Sequence, residues 1–529
     1  MMLDPSLANN MKLLTIYKRL DFNRSQFFRH FSTAQKPPFN RLLFEKQRLY
    51  KKLSTLWSTG EKVSDVLDRL SSKGSKPLKK YDVIDCIMKF RKDGCYQQCF
   101  EILEWMDKGE IDYPNYALRL HIIYKVKGIE EAEKYFDSLR PDSKRRFTYG
   151  TLLHCYCSEK MTDKALALFK KMDEMSFAKN DMAYGNLMYL YMKVNQPEKV
   201  PALVEEMKRR NIRLSSLCYQ IWVQSYASLN NLEGLERVMN EVHEQKSVKD
   251  DWNVYSTFAS AYISAGKYEK ADPSLKKIEQ ILDNSINPDS VAFCYLIGFY
   301  ANVGDLESVC QTWDKLKSKF KVCNNRSYLT VLQALSKLGN IEGLRKCFDE
   351  WNSLYRSYDV RLPTVVIGAY LRYDMLDEAE LLLKDAKSKA GQKIWAAHVS
   401  FMDYYLGKCN INFALRHLEV ALANQWPWQP LAGKLDKFFY YFIDKKDVDG
   451  AEQFCQMLEK VQPLTSTTYL GLLKTYAAAG KTAPEMPQRM VQSGVEIGTE
   501  HEELLQKLQH QFQILNPKRW GLLGKVFSD

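Results

Sequence analysis

An all-α solenoid of helical hairpins is the fold this sequence predicts. Three observations predict it: an apolar or aromatic residue recurring about every 35 residues, a second one seven places after each, and a helix-starting residue fourteen places after most of them. A chain of 529 residues exceeds what one hydrophobic core usually holds. Stacked repeats remove that limit, because each unit buries its apolar face on its neighbours.

The first helix of each unit follows from the recurring anchor. Tyr149, Tyr184, Tyr219, Tyr255 and Tyr328 set the frame, with Tyr156, Tyr191, Tyr226, Tyr262 and Leu335 seven residues on. The same frame runs through Val83, Ala117, Phe293, Pro363, His398, Leu435 and Tyr469, with partners Phe90, Tyr124, Tyr300, Tyr370, Tyr405, Phe442 and Tyr476. From 83 to 469 is 386 residues in 11 steps, a mean of about 35. Seven residues are two helical turns, so anchor and partner share one face of an amphipathic helix.

The second helix follows from the residues fourteen places on. Asp163, Glu198, Glu342 and Asp377 open apolar segments, and an acid in a first turn suits the helix dipole. Gly94, Gly128, Gly266, Gly304, Gly339 and Gly407 stand between the two segments, where a left-handed residue ends a helix. The pattern predicts no strands.

Composition excludes several classes. No stretch approaches the ~18 uninterrupted apolar residues of a membrane helix. The 12 cysteines include no C-x-x-C pair, so zinc ribbons and dithiol redox motifs have no foothold; the closest pair, Cys155 and Cys157, falls on different faces of a helix. Gly480-Lys481-Thr482 ends like a phosphate loop but lacks the earlier glycine, since position 475 is Thr475. His417-Leu418-Glu419 carries the H-x-E core of a deaminase without the C-x-x-C that completes its zinc site. No catalytic residue, metal, cofactor or small-molecule substrate is expected, and Trp105, Trp313 and Trp351 are expected to pack at second-helix ends.

The chain divides into four segments. Residues 1–31 carry Lys12, Lys18, Arg19, Arg24 and Arg29 against Asp4 and Asp21, a basic amphipathic mitochondrial presequence, with Met11 a second candidate start and Arg29-His30-Phe31-Ser32 a candidate cleavage junction. Residues 32–79 form a basic linker and N-terminal capping region, 80–483 about twelve repeats, and 484–529 a C-terminal cap, with Glu502 to Leu515 as its helix, and a tail.

The segment Phe147-Thr148-Tyr149-Gly150-Thr151-Leu152-Leu153-His154-Cys155-Tyr156-Cys157 resembles the first helix of a pentatricopeptide repeat. The accumulated length favours a period of 35 over the 34 of tetratricopeptides, for which eleven steps would give 374. The chain is similar to the plant organellar, array-only P class. That resemblance implies a right-handed α-solenoid whose first helices line a concave groove, and single-stranded mitochondrial RNA as the ligand, with the mitochondrial matrix favoured over plastids. The function it implies is a non-catalytic adaptor in RNA processing, stability or translation. The alternative is a structural scaffold subunit of the mitochondrial ribosome or of another protein complex.

In that family base choice is carried mainly by the residue after the anchor and by the last residue of the unit. Ser256 with Asp289 matches the guanine-preferring combination. Gln220 with Asp251, Asn180 (beside Gly150), Asn324 (beside Cys294) and Thr364 (beside Ile394) complete the candidate RNA-binding residues. Gly185 with Ser215, Leu329 with Asp359 and Val399 with Leu431 depart from the pattern, and aliphatic side chains cannot hydrogen-bond a base edge. The formal charge is +12, of which residues 1–31 carry +3, Lys36 +1 and residues 40–80 carry +7, so the array itself is nearly neutral. Phosphate neutralisation supplies most non-specific nucleic-acid affinity. Strong electrostatic contact is therefore expected from local patches or from Arg41, Lys46, Arg48, Lys51, Lys52, Lys73, Lys76, Lys79 and Lys80.

Overall fold

Helices Arg146–Ser158 and Thr162–Glu174 show the unit from which the chain is built. Tyr149 sits on the fourth residue of the first helix, buried against the ring of Phe136 at 5.0 Å. Asp163 falls in the first turn of the second helix, as the sequence predicts. The computed structural model describes residues 62–72, 80–108, 115–355, 357–390, 394–423 and 432–515, with 49–50 and 53–54. The presequence, most of the basic linker and the tail from 516 lie outside the described residues, as does Leu431.

Twelve such hairpins follow one another among the described residues, with no strand. Their first helices are Lys80–Lys92, Tyr116–Lys127, Arg146–Ser158, Asp181–Lys193, Ser216–Ser228, Trp252–Ser264, Ser290–Val303, Asn325–Leu338, Arg361–Arg372, Trp395–Gly407, Ala432–Lys445 and Ser466–Ala479. All twelve anchors lie in these helices and all are buried. A helix Val63–Ser72 precedes them, and Thr499–Leu515 packs on the last first helix, where a cap is expected. The second helix of the last hairpin, Met486–Gln492, begins beyond the expected end of the repeats, and Tyr469 reaches it through Ser493 Oγ at 2.7 Å.

The turn inside each hairpin obeys one rule. The residue eleven places after each anchor has positive φ: Gly94, Gly128, Lys160, Asn195, Asn230, Gly266, Gly304, Gly339, Asp374, Cys409, Lys446 and Gly480, between 52° and 93°. Glycine occupies six of these places and Asn or Asp three, the types that tolerate the left-handed region; Lys160, Cys409 and Lys446 do not suit it. One expectation needs correction. Gly407 is the last residue of its helix, and Cys409 makes that turn, because Gly407 stands nine rather than eleven residues after His398.

Three anchors also tie their two helices together with a polar bond. The hydroxyls of Tyr184, Tyr219 and Tyr328 donate to Glu206, Glu241 and Glu350 at 2.9, 2.9 and 2.8 Å, in each case 22 residues on. Glu241 also takes Lys208 of the preceding hairpin at 2.8 Å, linking consecutive units. A hydrogen bond to a charged group contributes about 1.5–3 kcal/mol. Tyr255 has Lys277 at the equivalent place, and its buried hydroxyl finds no partner among the described residues.

Two compact units divide the chain, one ending at Ile281 and the other beginning at Leu282. The division falls inside the helix Tyr268–Asn284, which carries Pro273 in its interior. Trp351 is buried in the last turn of its second helix, Trp313 is buried at the middle of Leu306–Lys319 rather than its end, and Trp105 is half-buried with its indole donating to Asp68 at 2.6 Å.

Candidate nucleic-acid interface

Helix geometry assigns each first helix an inner and an outer face. The anchor and the residue seven after it point to the second helix, so the residues two, five and nine places after the anchor stand on the opposite side. In the unit that begins at Leu282 this side forms a wall. Helices Asn325–Leu338, Arg361–Arg372 and Trp395–Gly407 pack in sequence and line a groove of about 830 Å³. Gln333, Gly368 and Asp403, each five after its anchor, stand along it.

Charge in this groove comes from a few side chains. Lys337 and Arg372 are exposed, nine after their anchors and 35 apart. Lys337 Nζ donates to Asn302 Oδ1 at 2.5 Å. The Arg372 guanidinium donates to Ser336 and, at 3.2 Å, to the Gly368 carbonyl. The partners of both among the described residues are neutral oxygens. Lys408 pairs with Asp374 at 2.7 Å. That hydrogen bond, with a second from Tyr404, holds the Asp374 carboxyl below its ordinary range. Asp403 is neutralised by Lys434 and by Lys437 at 3.8 Å. Lys437 brings the next first helix to the same edge, and Tyr440, one turn further along it, is 71% exposed.

The sequence-predicted residues sit differently. Asn180, Asp251, Asp289 and Asn324 are all N-caps of first helices, and their side-chain oxygens accept from the backbone N–H of Ala183, Asn253, Val291 and Ser327 at 2.9–3.1 Å. The last residue of each of these units thus spends one acceptor on its own helix. Asp289 and Asn324 are exposed, and Asn180 and Asp251 half-buried. Gln220 and Ser256 are 5% and 2% exposed, with the Ser256 hydroxyl donating to the Asn253 carbonyl at 2.7 Å. Ser256 and Asp289 belong to different units. Thr364 lines the groove, and its hydroxyl donates to the Val360 carbonyl at 2.7 Å.

Glycines Gly150 and Gly185 occupy the place after the anchor in two hairpins, and the neighbouring first helix crowds the first of them but leaves the second room for a Cβ. A Cβ at Gly150 would lie 3.3 Å from Met182 Sδ, and one at Gly185 3.8 Å from Cys218 Sγ. Asn186 Nδ2 donates to the Gly150 carbonyl at 3.4 Å. Here the position faces the next first helix, not open solvent.

Lys337, Arg372, Lys437 and Tyr440 escaped the sequence reading. A signal existed: Lys337 and Arg372 share one phase of the repeat, but the reading followed only the places after the anchor and at the unit's end. The H-x-E histidine, His417, lies inside its hairpin, its Nδ1 3.0 Å from His398 Nδ1 and its ring stacked on Phe401. Burial pushes both imidazoles down to about 4.

Comparison with known proteins follows this geometry. The PPR repeat family model matches residues 147–177 and 182–212. Two Arabidopsis thaliana proteins named as mitochondrial pentatricopeptide repeat-containing proteins are similar to this chain. One is 41% identical over 468 residues, covering 87% of this chain and 92% of the relative. The other is 40% identical over 469 residues, covering 87% and 86%. The large ribosomal subunit protein mL101 (rPPR4) of Arabidopsis thaliana is 38% identical over 473 residues, covering 88% and 95%. Among solved structures, the pentatricopeptide repeat protein PPR10 in complex with an 18-nt psaJ RNA element aligns at a TM-score of 0.47 and 14% identity. That alignment covers 88% of this chain and 62% of PPR10.

Proposed function

Because the chain belongs to the pentatricopeptide-repeat family, we propose that it binds single-stranded mitochondrial RNA along its first helices, as a non-catalytic adaptor in RNA processing, stability or translation. The observation that carries this reading is the groove of about 830 Å³ built from three consecutive first helices. Such a wall can follow a polymer from hairpin to hairpin, with side chains at its edge available to bases. The names of the relatives 41% and 40% identical to this chain support a mitochondrial site of action, which we place in the matrix.

A second reading is that of a structural subunit of the mitochondrial ribosome. One observation favours it: mL101, named as a large ribosomal subunit protein, is matched over 95% of its length. Crosslinking and sequencing of RNA bound to the tagged chain in isolated mitochondria decides between the two. A few short footprints on transcripts support the adaptor. Reads spread over ribosomal RNA, with co-sedimentation in the large subunit, support the scaffold. Recovery of no RNA above an untagged control removes both.

A further inference from the structure

Resting on the RNA-binding reading, we propose that the unit beginning at Leu282 holds RNA as a backbone-and-stacking clamp that accepts any single strand, and that base choice is absent from its groove. Three observations carry this. The first is the chemistry at the places where a base edge would be read. Leu329 and Val399 are aliphatic, Cys294 is 7% exposed, and Thr364 spends its hydroxyl proton on the Val360 carbonyl. Asn324 and Asp289 spend an acceptor on their own helices. None of Cys294, Leu329, Thr364 and Val399 presents a free pair of donor and acceptor to a base.

The second observation is the charge along the same wall. Lys337 and Arg372 recur at one phase of consecutive hairpins, exposed and bonded to neutral oxygens, so their charge is not cancelled by a bonded carboxylate. Two uncancelled cations one hairpin apart suit successive phosphates, which carry no sequence information. Where the next helix meets Asp403, Lys434 and Lys437 outnumber its one carboxylate and leave a net positive charge.

The third observation is Tyr440. Tyr440 is 71% exposed, whereas its neighbours Phe438 and Phe439 are buried. It stands five after its anchor, on the side of its helix opposite the second helix and one turn from Lys437. Every base has a π-face, so a ring there binds RNA regardless of sequence. Ring and cations together form a sequence-tolerant holder for single strands.

The test uses the full chain and labelled single-stranded poly(U), poly(A), poly(C) and a mixed-sequence oligonucleotide, read by fluorescence anisotropy across a salt series. Wild type is expected to bind all four within about threefold of one another. Lys337→Ala with Arg372→Ala is expected to weaken all four alike and to reduce the salt slope by about 1.4, from ~0.7 per cation. Tyr440→Ala is expected to weaken them about fivefold or more with the slope unchanged. All three side chains are exposed, so circular dichroism should match wild type. Preference beyond tenfold for one RNA, or wild-type affinity in both variants, overturns the clamp and leaves RNA binding standing. Failure of wild type to bind any RNA overturns RNA binding and the clamp with it.

Discussion

The two compact units present the same hairpin outward from its anchor but a different inner wall. Each unit contains six anchors, hence twelve residues lying two or five places after an anchor. In the unit ending at Ile281 seven of these are buried: Ile122, Thr151, Asn186, Tyr189, Ile221, Gln224 and Thr257. In the unit beginning at Leu282 only Gly471 is. One such contact in the first unit crosses to the adjoining first helix, where Asn186 donates to the Gly150 carbonyl. In the second, Gln333, Lys437 and Tyr440 at these places are exposed, and Gly368, Ser400 and Asp403 are half-buried. One repeat thus serves as packing in one stretch and as open surface in another.

The comparison breaks most readily at two tyrosines of the same phase. Tyr189 is fully buried and Tyr440 is 71% exposed, both five after their anchors. Tyr189→Ala should cost about 3–5 kcal/mol in the first unit, whereas Tyr440→Ala should stay within about 0.5 kcal/mol, both measured by urea unfolding. Similar costs would mean that the two walls do not differ.

Acid should separate the units next. His398 and His417 are held down to about 4 by burial, with Lys387 adding to it and each ring facing the other. Between their unfolded value of 6.5 and about 4 the unfolded chain binds more protons, so their stabilisation is full above pH 6.5 and is lost as pH falls towards 4. His121, in the first unit, is held down to about 3, with burial again the largest cause. Hydrogen exchange should therefore show protection in Trp395–Gly407 lost by pH 4, while that in Tyr116–Lys127 goes on falling below it. His398→Phe should flatten the first of these curves.

The smallest effect should be shared. Lys160 and Lys446 hold left-handed φ of 60° and 54°, one in each unit. Replacing either with glycine relieves a strain of about 1–2 kcal/mol, offset by glycine's greater unfolded freedom. A net gain of about 0.5–1 kcal/mol is expected in both units by thermal unfolding; a gain in one alone would place a difference in the turn as well as the wall.

Sequence by itself determined the hairpin: the anchors, their partners, the acids Asp163, Glu342 and Asp377 opening second helices and, Gly407 apart, the glycine turns took their expected places, while Glu198 lies in the 3-10 turn Pro197–Lys199 ahead of its helix. Each of these contacts closes within one repeat, so it recurs with the period and can be read along the chain. Only the tertiary structure decided which inner faces stay open, because that depends on how closely neighbouring first helices approach. It also brought Lys337, Arg372 and Tyr440 to exposed positions of neighbouring first helices. Those outcomes rest on residues from different repeats, whose separation in space no single 35-residue unit encodes.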